Sequence, residues 1–148
     1  MIIGAFISFN VVSSGENFKT LQDEIENSTN TIELTRDYKY DNSTDHELNK
    51  GILINKSNIT INGNGHTIDG SNQSRIFNIT GENVTITNLN FINGNAGEEN
   101  GGAIYENSSI KLENLTFSNN FANSGGAIFH DENNATTTIT NCTFDGDS

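Results

Sequence analysis

The 148-residue chain has one cysteine, no proline, no tryptophan and only seven basic side chains. A single cysteine excludes a disulfide scaffold. Nineteen acids against five lysines and two arginines leave a formal charge of -12. That balance excludes a duplex nucleic-acid binder, which neutralises phosphates with Lys and Arg, and it disfavours an anionic membrane surface. No apolar run approaches the ~18 residues of a membrane-spanning helix, so insertion of this stretch into a bilayer is not expected. The mean hydropathy of -0.49 fits a disordered chain, but Ile, Val, Phe and Leu recur here at regular spacing, which disorder does not produce. What the chain has in excess is 26 Asn and 18 Ile. Asn favours turns and left-handed backbone, and Ile favours strands. Short strands separated by many tight turns are the expectation, which is the composition of a solenoid.

Residues 1–15 open with the apolar stretch Met1–Val12 followed by Ser13, Ser14 and Gly15. The stretch reads as a signal-peptide remnant, with a short apolar core and small residues at a cleavage zone, although a basic leader is missing; the other reading is a first strand. Residues 16–30 hold the one helical pattern. Phe18, Leu21 and Ile25 fall at i, i+3 and i+7, with Lys19, Gln22, Asp23, Glu24 and Glu26 on the other side. A short amphipathic helix ahead of a strand stack suits a cap, which protects an otherwise open row of backbone groups. Thr31–Tyr40 reads as a strand and Asp41–Lys50 as a polar loop.

From Gly51 onward the chain repeats. Val84-Thr-Ile-Thr-Asn88-Leu-Asn-Phe91 aligns with Ile110-Lys-Leu-Glu-Asn114-Leu-Thr-Phe117 and with Thr137-Thr-Ile-Thr-Asn141-Cys-Thr-Phe144. The offsets are 26 residues (84 to 110) and 27 residues (110 to 137). Gly101-Gly102-Ala103-Ile104-Tyr105 recurs as Gly125-Gly126-Ala127-Ile128-Phe129. Helical solenoids need longer helical patterns, and propeller blades need about 40 residues or more. A rung in the mid-twenties holds two or three short strands, and identical positions then stack at ~4.8 Å. The expected fold is all-β: a single-stranded right-handed parallel β-helix of the pectate-lyase type. Residues 31–148 would supply about four to five rungs, with the N-terminal helix as cap.

In such a stack Phe91, Phe117 and Phe144 form an inward ladder. Asn88, Asn114 and Asn141 form a second ladder at a bend, bonding to backbone and to the Asn one rung away. Gly101, Gly102, Gly125 and Gly126 allow positive φ and close approach between rungs. Cys142, on the ladder of Leu89 and Leu115, reads as a small buried hydrophobe.

The paired elements Gly101–Ile104, Gly125–Ile128 and Phe117-Ser-Asn-Asn120 resemble the GGAI and FxxN repeats of polymorphic outer-membrane proteins. With Phe18-x-x-Leu21, Thr31–Tyr40 and Ile59–Gly70, the chain over residues 16–148 is similar to methanogen adhesin-like proteins with right-handed parallel β-helix domains. The resemblance implies a secreted or cell-surface protein whose β-helix serves as stalk or contact surface, with carbohydrate or another cell's surface protein as partner. The chain stops at Asp147-Ser148 after a strand, which reads as a fragment or a shortened member.

Parallel β-helices also carry polysaccharide lyases and hydrolases, so an enzyme fragment is the alternative, and a ligand-free structural stalk is a third reading. Hydrolysis needs two carboxylates converging within about 5–10 Å. Asp69, Glu82, Glu113, Asp131 and Asp145 read as lying at different repeat phases, and neither Arg36 nor Arg75 as having a matching acid cluster in its rung. A non-enzyme is therefore expected, with no catalytic residue and no metal ligand assigned. His66, in Gly65-His66-Thr67, reads as a turn histidine. The acidic, glycine-rich turn Asn93–Asn100 is the one candidate for calcium, but it lacks the spacing of a dedicated calcium loop, and no cofactor is expected. Thr85/Thr87 and Thr136/Thr138 raise an ice-binding array that Lys111 and Glu113 interrupt. Of the many N-x-S/T sequons, Asn42, Asn72, Asn107 and Asn134 fall in polar turns and are candidates for glycosylation, whereas Asn114 and Asn141 are assigned to the internal ladder.

Overall fold

The computed structural model describes residues 15–132 and 134–148. The signal remnant or first strand expected at residues 1–15 therefore lies, apart from Gly15, outside the described residues. Helix α1 spans Phe18–Asn27 and buries Phe18, Leu21 and Ile25. Its first-turn N–H groups have no partner within the helix. The Asn17 side chain accepts from the Thr20 N–H at 2.9 Å. Asp45, fully buried, accepts from the Phe18 and Lys19 N–H groups, both at 3.0 Å, and from the Asp41 N–H at 2.9 Å. A carboxylate 27 residues away thus closes the helix.

Strands β1 (Thr31–Glu33) and β2 (Tyr38–Lys39) correct the single strand expected over Thr31–Tyr40. The chain bends between them to pass from one face of the stack to the next. Asp41–Lys50 is not a loop throughout. It forms the short helix α2 (Asn42–Asp45) and a 3-10 turn (His46–Leu48), nucleated by the Asp41 side chain accepting from the Ser43 N–H at 2.9 Å.

The remaining strands are β3 (Ile52–Ile54), β4 (Thr60–Asn62), β5 (Thr67–Asp69), β6 (Phe77–Ile79), β7 (Val84–Ile92), β8 (Ile104–Glu106), β9 (Ile110–Ser118), β10 (Ile128–His130), β11 (Thr137–Thr140) and β12 (Thr143–Asp145). Every pairing is parallel and in register, and the chain winds through three faces. On the first face Ile32, Ile61, Ile86, Leu112 and Ile139 stack. Tyr38, Ile68, Phe91, Phe117 and Phe144 stack on the second. Ile52, Phe77, Ile104 and Ile128 stack on the third. The protein is a right-handed parallel β-helix of about four turns with a short helix at its N-terminal end.

The interior Phe ladder is close to face-to-face: Phe91 to Phe117 at 5.0 Å and 7°, Phe117 to Phe144 at 4.9 Å and 4°. Phe91 and Phe117 are fully buried, whereas Phe144 on the last rung is 48% exposed. Asn88, Asn114 and Asn141 have φ of 54°, 55° and 50°. They turn the chain between the first two faces in the left-handed conformation that Asn tolerates and β-branched residues do not. Asn114 Nδ2 donates to Asn88 Oδ1 at 3.2 Å, and Asn88 Nδ2 to Asn62 Oδ1 at 3.1 Å. The assignment of Asn114 and Asn141 to the interior needs correction. Both side chains are exposed, because a residue at an outer corner points away from the core.

The two glycines of each pair have different work. Gly101 and Gly125 supply φ of 74° and 65°. A Cβ on Gly102 would lie 2.1 Å from the Gly126 carbonyl oxygen, so the second glycine permits rung-to-rung contact. Asn120 of the FxxN element is buried. It accepts from the Gly94 N–H at 2.8 Å and donates to the Phe91 carbonyl at 3.2 Å and to Asp147 at 2.8 Å, so one amide ties three rungs.

Replacing Asp45 with Ala leaves two helix N–H groups and the Asp41 N–H without their acceptor. Asp45→Ala is expected to lower unfolding free energy by about 2–4 kcal/mol, and Asn17→Ala by about 1 kcal/mol. Urea denaturation followed by circular dichroism checks the order; equal losses would contradict the role given to Asp45.

Candidate functional site

On the third face each three-residue strand points its outer residues inward and its middle residue outward. The outward column is Leu53, Asn78, Tyr105 and Phe129. Leu53 is 39% exposed, and the other three are half-buried. The Tyr105 and Phe129 rings are near parallel at 13°, with centroids 5.9 Å apart. That separation is wider than in the interior ladder, so the pair is offset and presents ring surface outward.

Beside this column lies a cleft of about 490 Å³, lined by Lys50, Arg75, Asn78, Glu98, Glu99, Asn100, Tyr105, Asn123 and Asp131. Its wall is built on Arg75, which is 5% exposed. Arg75 donates to the carbonyls of Gly101 at 3.0 Å, Lys50 at 2.9 Å and Asn100 at 2.8 Å, and to the Glu99 carboxylate at 3.1 Å. Its guanidinium carbon lies 5.3 Å from the Tyr105 ring centroid, within cation–π range. A hydrogen bond from Lys50, aided by Arg75, holds the Glu99 carboxyl below its usual range. The Tyr105 hydroxyl donates to Asp131; that bond and partial burial push the phenol up. The Asn78 side-chain oxygen is buried and has no hydrogen-bond partner among the described residues.

A second concavity of about 990 Å³, lined by Lys39, Tyr40, Asp41, Asn42, Asp69, Asn72 and Asn93 among others, lies beside helix α2. There Asp69 already accepts from Ser71 N at 2.7 Å and from Asn93 Nδ2 at 3.0 Å, with Lys39 at 3.5 Å.

One sequence expectation about charged groups is corrected by the register. Asp69 and Asp145 occupy one column, through Ile92 and Ser118, rather than different phases. Three steps of ~4.8 Å separate them by about 14 Å, beyond the span of a cooperating carboxylate pair. Each arginine is held by ion pairs: Arg36 with Glu16 at 3.0 Å and Glu24 at 3.5 Å, and Arg75 with Glu99 at 3.1 Å. The partners of Arg36 lie on and just before helix α1, and the partner of Arg75 lies in the turn before β8.

His66 sits in its turn with Nδ1 3.1 Å from Asp37. In the Asn93–Asn100 turn, Asn95 Oδ1 accepts from the Gly97 N–H at 2.7 Å and Glu99 is engaged as above. Among the described residues no group of three or more His, Cys, Asp or Glu side chains is placed to share a metal ion. Cys142 is half-buried against the core. Asn42, Asn72, Asn107 and Asn134 are all exposed, Asn42 on α2 rather than in a loop. The aromatic pair itself was within reach, since Tyr105 and Phe129 end the two aligned GGAI elements. Arg75 and Asn78 fall outside the recurring motifs and carry no such signal.

Because Arg75 is buried, Arg75→Met strands carbonyls and a carboxylate and is expected to lower stability by about 3–5 kcal/mol. Glu99→Gln, at a half-exposed partner, is expected to change it by less than about 1 kcal/mol. Paired urea melts check this, and equal effects would contradict it. No protein-family model, curated protein or solved structure matches this chain.

Proposed function

We propose that this chain is a secreted or cell-surface adhesin-like β-helix module that contacts carbohydrate, free or on another cell, through its third face. The observation that carries the reading is the Tyr105–Phe129 pair lying beside a polar cleft. A sugar presents apolar C–H patches and a ring of hydroxyls. Its recognition calls for aromatic surface next to fixed donors and acceptors, the combination typical of small-molecule sites. Here Asn78, Asn100, Asn123, Glu98 and Asp131 stand within reach of the cleft, and the Arg75 network fixes its wall. The supporting scaffold is a stack of in-register strands, so the contact groups are carried on rigid elements rather than on a free loop. The polar Thr, Asn and Ser side chains along the outer first and second faces suit weak, extended contact with hydroxyl-rich surfaces.

Purified protein incubated with a panel of neutral, amino-bearing and uronic-acid polysaccharides is expected to be retained on at least one of them without release of sugar ends. Tyr105→Ala and Phe129→Ala are each expected to weaken retention by about tenfold, the scale of one well-placed aromatic contact. Arg36→Gln, remote from the cleft, is expected to leave it unchanged. Release of sugar ends would favour the lyase or hydrolase reading. Absence of retention by folded protein would favour a structural stalk.

A further inference from the structure

The inward column of the third face runs Ile54, Ile79, Glu106 and His130. A carboxylate therefore occupies a rung where the two preceding rungs place isoleucine, and it is fully buried. Glu106 Oε1 lies 2.5 Å from His130 Nδ1 and accepts from the Thr137 hydroxyl, and Oε2 accepts from the Ser108 N–H at 3.2 Å. Thr137 Oγ1 is itself 3.1 Å from His130 Nδ1. The cluster joins three strands: Glu106 on β8, His130 on β10 and Thr137 on β11. Among the described residues β10 pairs with β8 alone. Phe129 and His130 are neighbours on β10 with opposite orientations, Phe129 beside Tyr105 and His130, exposed on the last rung of this face, turned over Glu106.

We propose that Glu106, His130 and Thr137 form a protonation-dependent clasp that fastens β10 to β8 and thereby controls whether Phe129 lies alongside Tyr105 on the contact face. The clasp itself stands on geometry; its consequence for contact rests on the carbohydrate-binding reading above. A buried carboxylate is costly to leave unpaired, and its nearest cation is the imidazolium of His130. The hydrogen bond to Glu106, with a smaller contribution from Glu132, raises the His130 pKa above its ordinary 6.5. For a group raised in the folded state, the stabilisation is fully present below the unfolded value. It is lost as pH rises through the folded value. The clasp is closed in mildly acidic solution and loosens on the alkaline side.

The other charged groups near this cluster do not supply a substitute cation. Glu132, on the turn after β10, adds negative charge. Asp131 is occupied by the Tyr105 hydroxyl, and Glu82 accepts from the Ser109 N–H at 3.4 Å. Lys111 on β9 pairs with Glu113 at 3.2 Å.

Amide hydrogen exchange of the intact chain, corrected for intrinsic rates, tests the clasp without any ligand. Between about pH 6 and about pH 9, protection over β10 (Ile128–His130) and β11 (Thr137–Thr140) is expected to fall by about tenfold or more, while protection at Ile86, Phe91 and Leu112 stays level. His130→Gln is expected to show the low protection at both pH values. Glu106→Gln, which removes the buried charge but keeps an acceptor, is expected to abolish the pH dependence. Carbohydrate retention is measured at the same two pH values. Protection that does not change with pH in the unmodified chain, or a pH response that survives Glu106→Gln, overturns the clasp. A pH-dependent change in protection with no retention at either pH supports the clasp and removes the contact-face reading instead.

Discussion

The whole molecule depends on in-register parallel stacking of one rung on the next. A three-residue strand cannot hold its own backbone groups out of water. Stacked rungs satisfy them, since each carbonyl and N–H faces its equivalent one turn away. Register then places like above like, which turns isolated residue choices into ladders. Five aliphatic side chains line the first face and a continuous row of aromatic and aliphatic groups lines the second. The same constraint selects the corners. Left-handed Asn at 88, 114 and 141 turns the chain without breaking register, and Gly102 lets the Gly126 backbone approach where any side chain would collide.

Stacking also decides what is available for contact. With most inward positions committed to the core, alternate residues are displayed outward as columns. Most of those columns are Thr, Asn, Ser and charged groups. On the third face the column becomes aromatic at Tyr105 and Phe129, and the loops that precede β6 and β8 fold their polar groups beside it. Arg75 is the link between core and surface: its buried guanidinium closes three backbone carbonyls and underlies Tyr105. The proposed contact face is thus a consequence of the stack rather than an addition to it.

The features legible in the sequence were those that recur. Offsets of 26 and 27 residues mark the rungs, Asn and Phe mark a corner and a ladder, and the Gly pair marks a close approach. Each is one residue type repeating at one geometric position. What could not be read were contacts made once, between segments with no shared pattern. Asp45 caps α1 across 27 residues, and α2 forms around Asp41 and Asp45 in a stretch that is polar throughout. Glu106 stands in an aliphatic column, where hydropathy places an acid on the surface until its partners His130 and Thr137 are known. Corner geometry put Asn114 and Asn141 outside, because laddering between rungs does not require burial. The bend between Glu33 and Tyr38 was hidden by the strand-forming Thr31, Ile32, Tyr38 and Tyr40 on either side of it.

Cross-strand nuclear Overhauser effects test the stack most directly. Amide and Hα protons on facing residues, such as Val84 with Ile110 and Thr137 with Ile110, should be connected in the pattern of parallel strands. The ring protons of Phe91, Phe117 and Phe144 should connect in that order. Antiparallel connectivities, or contacts linking Phe91 directly to Phe144 with Phe117 elsewhere, would contradict the stacked-rung account and with it the contact face it displays.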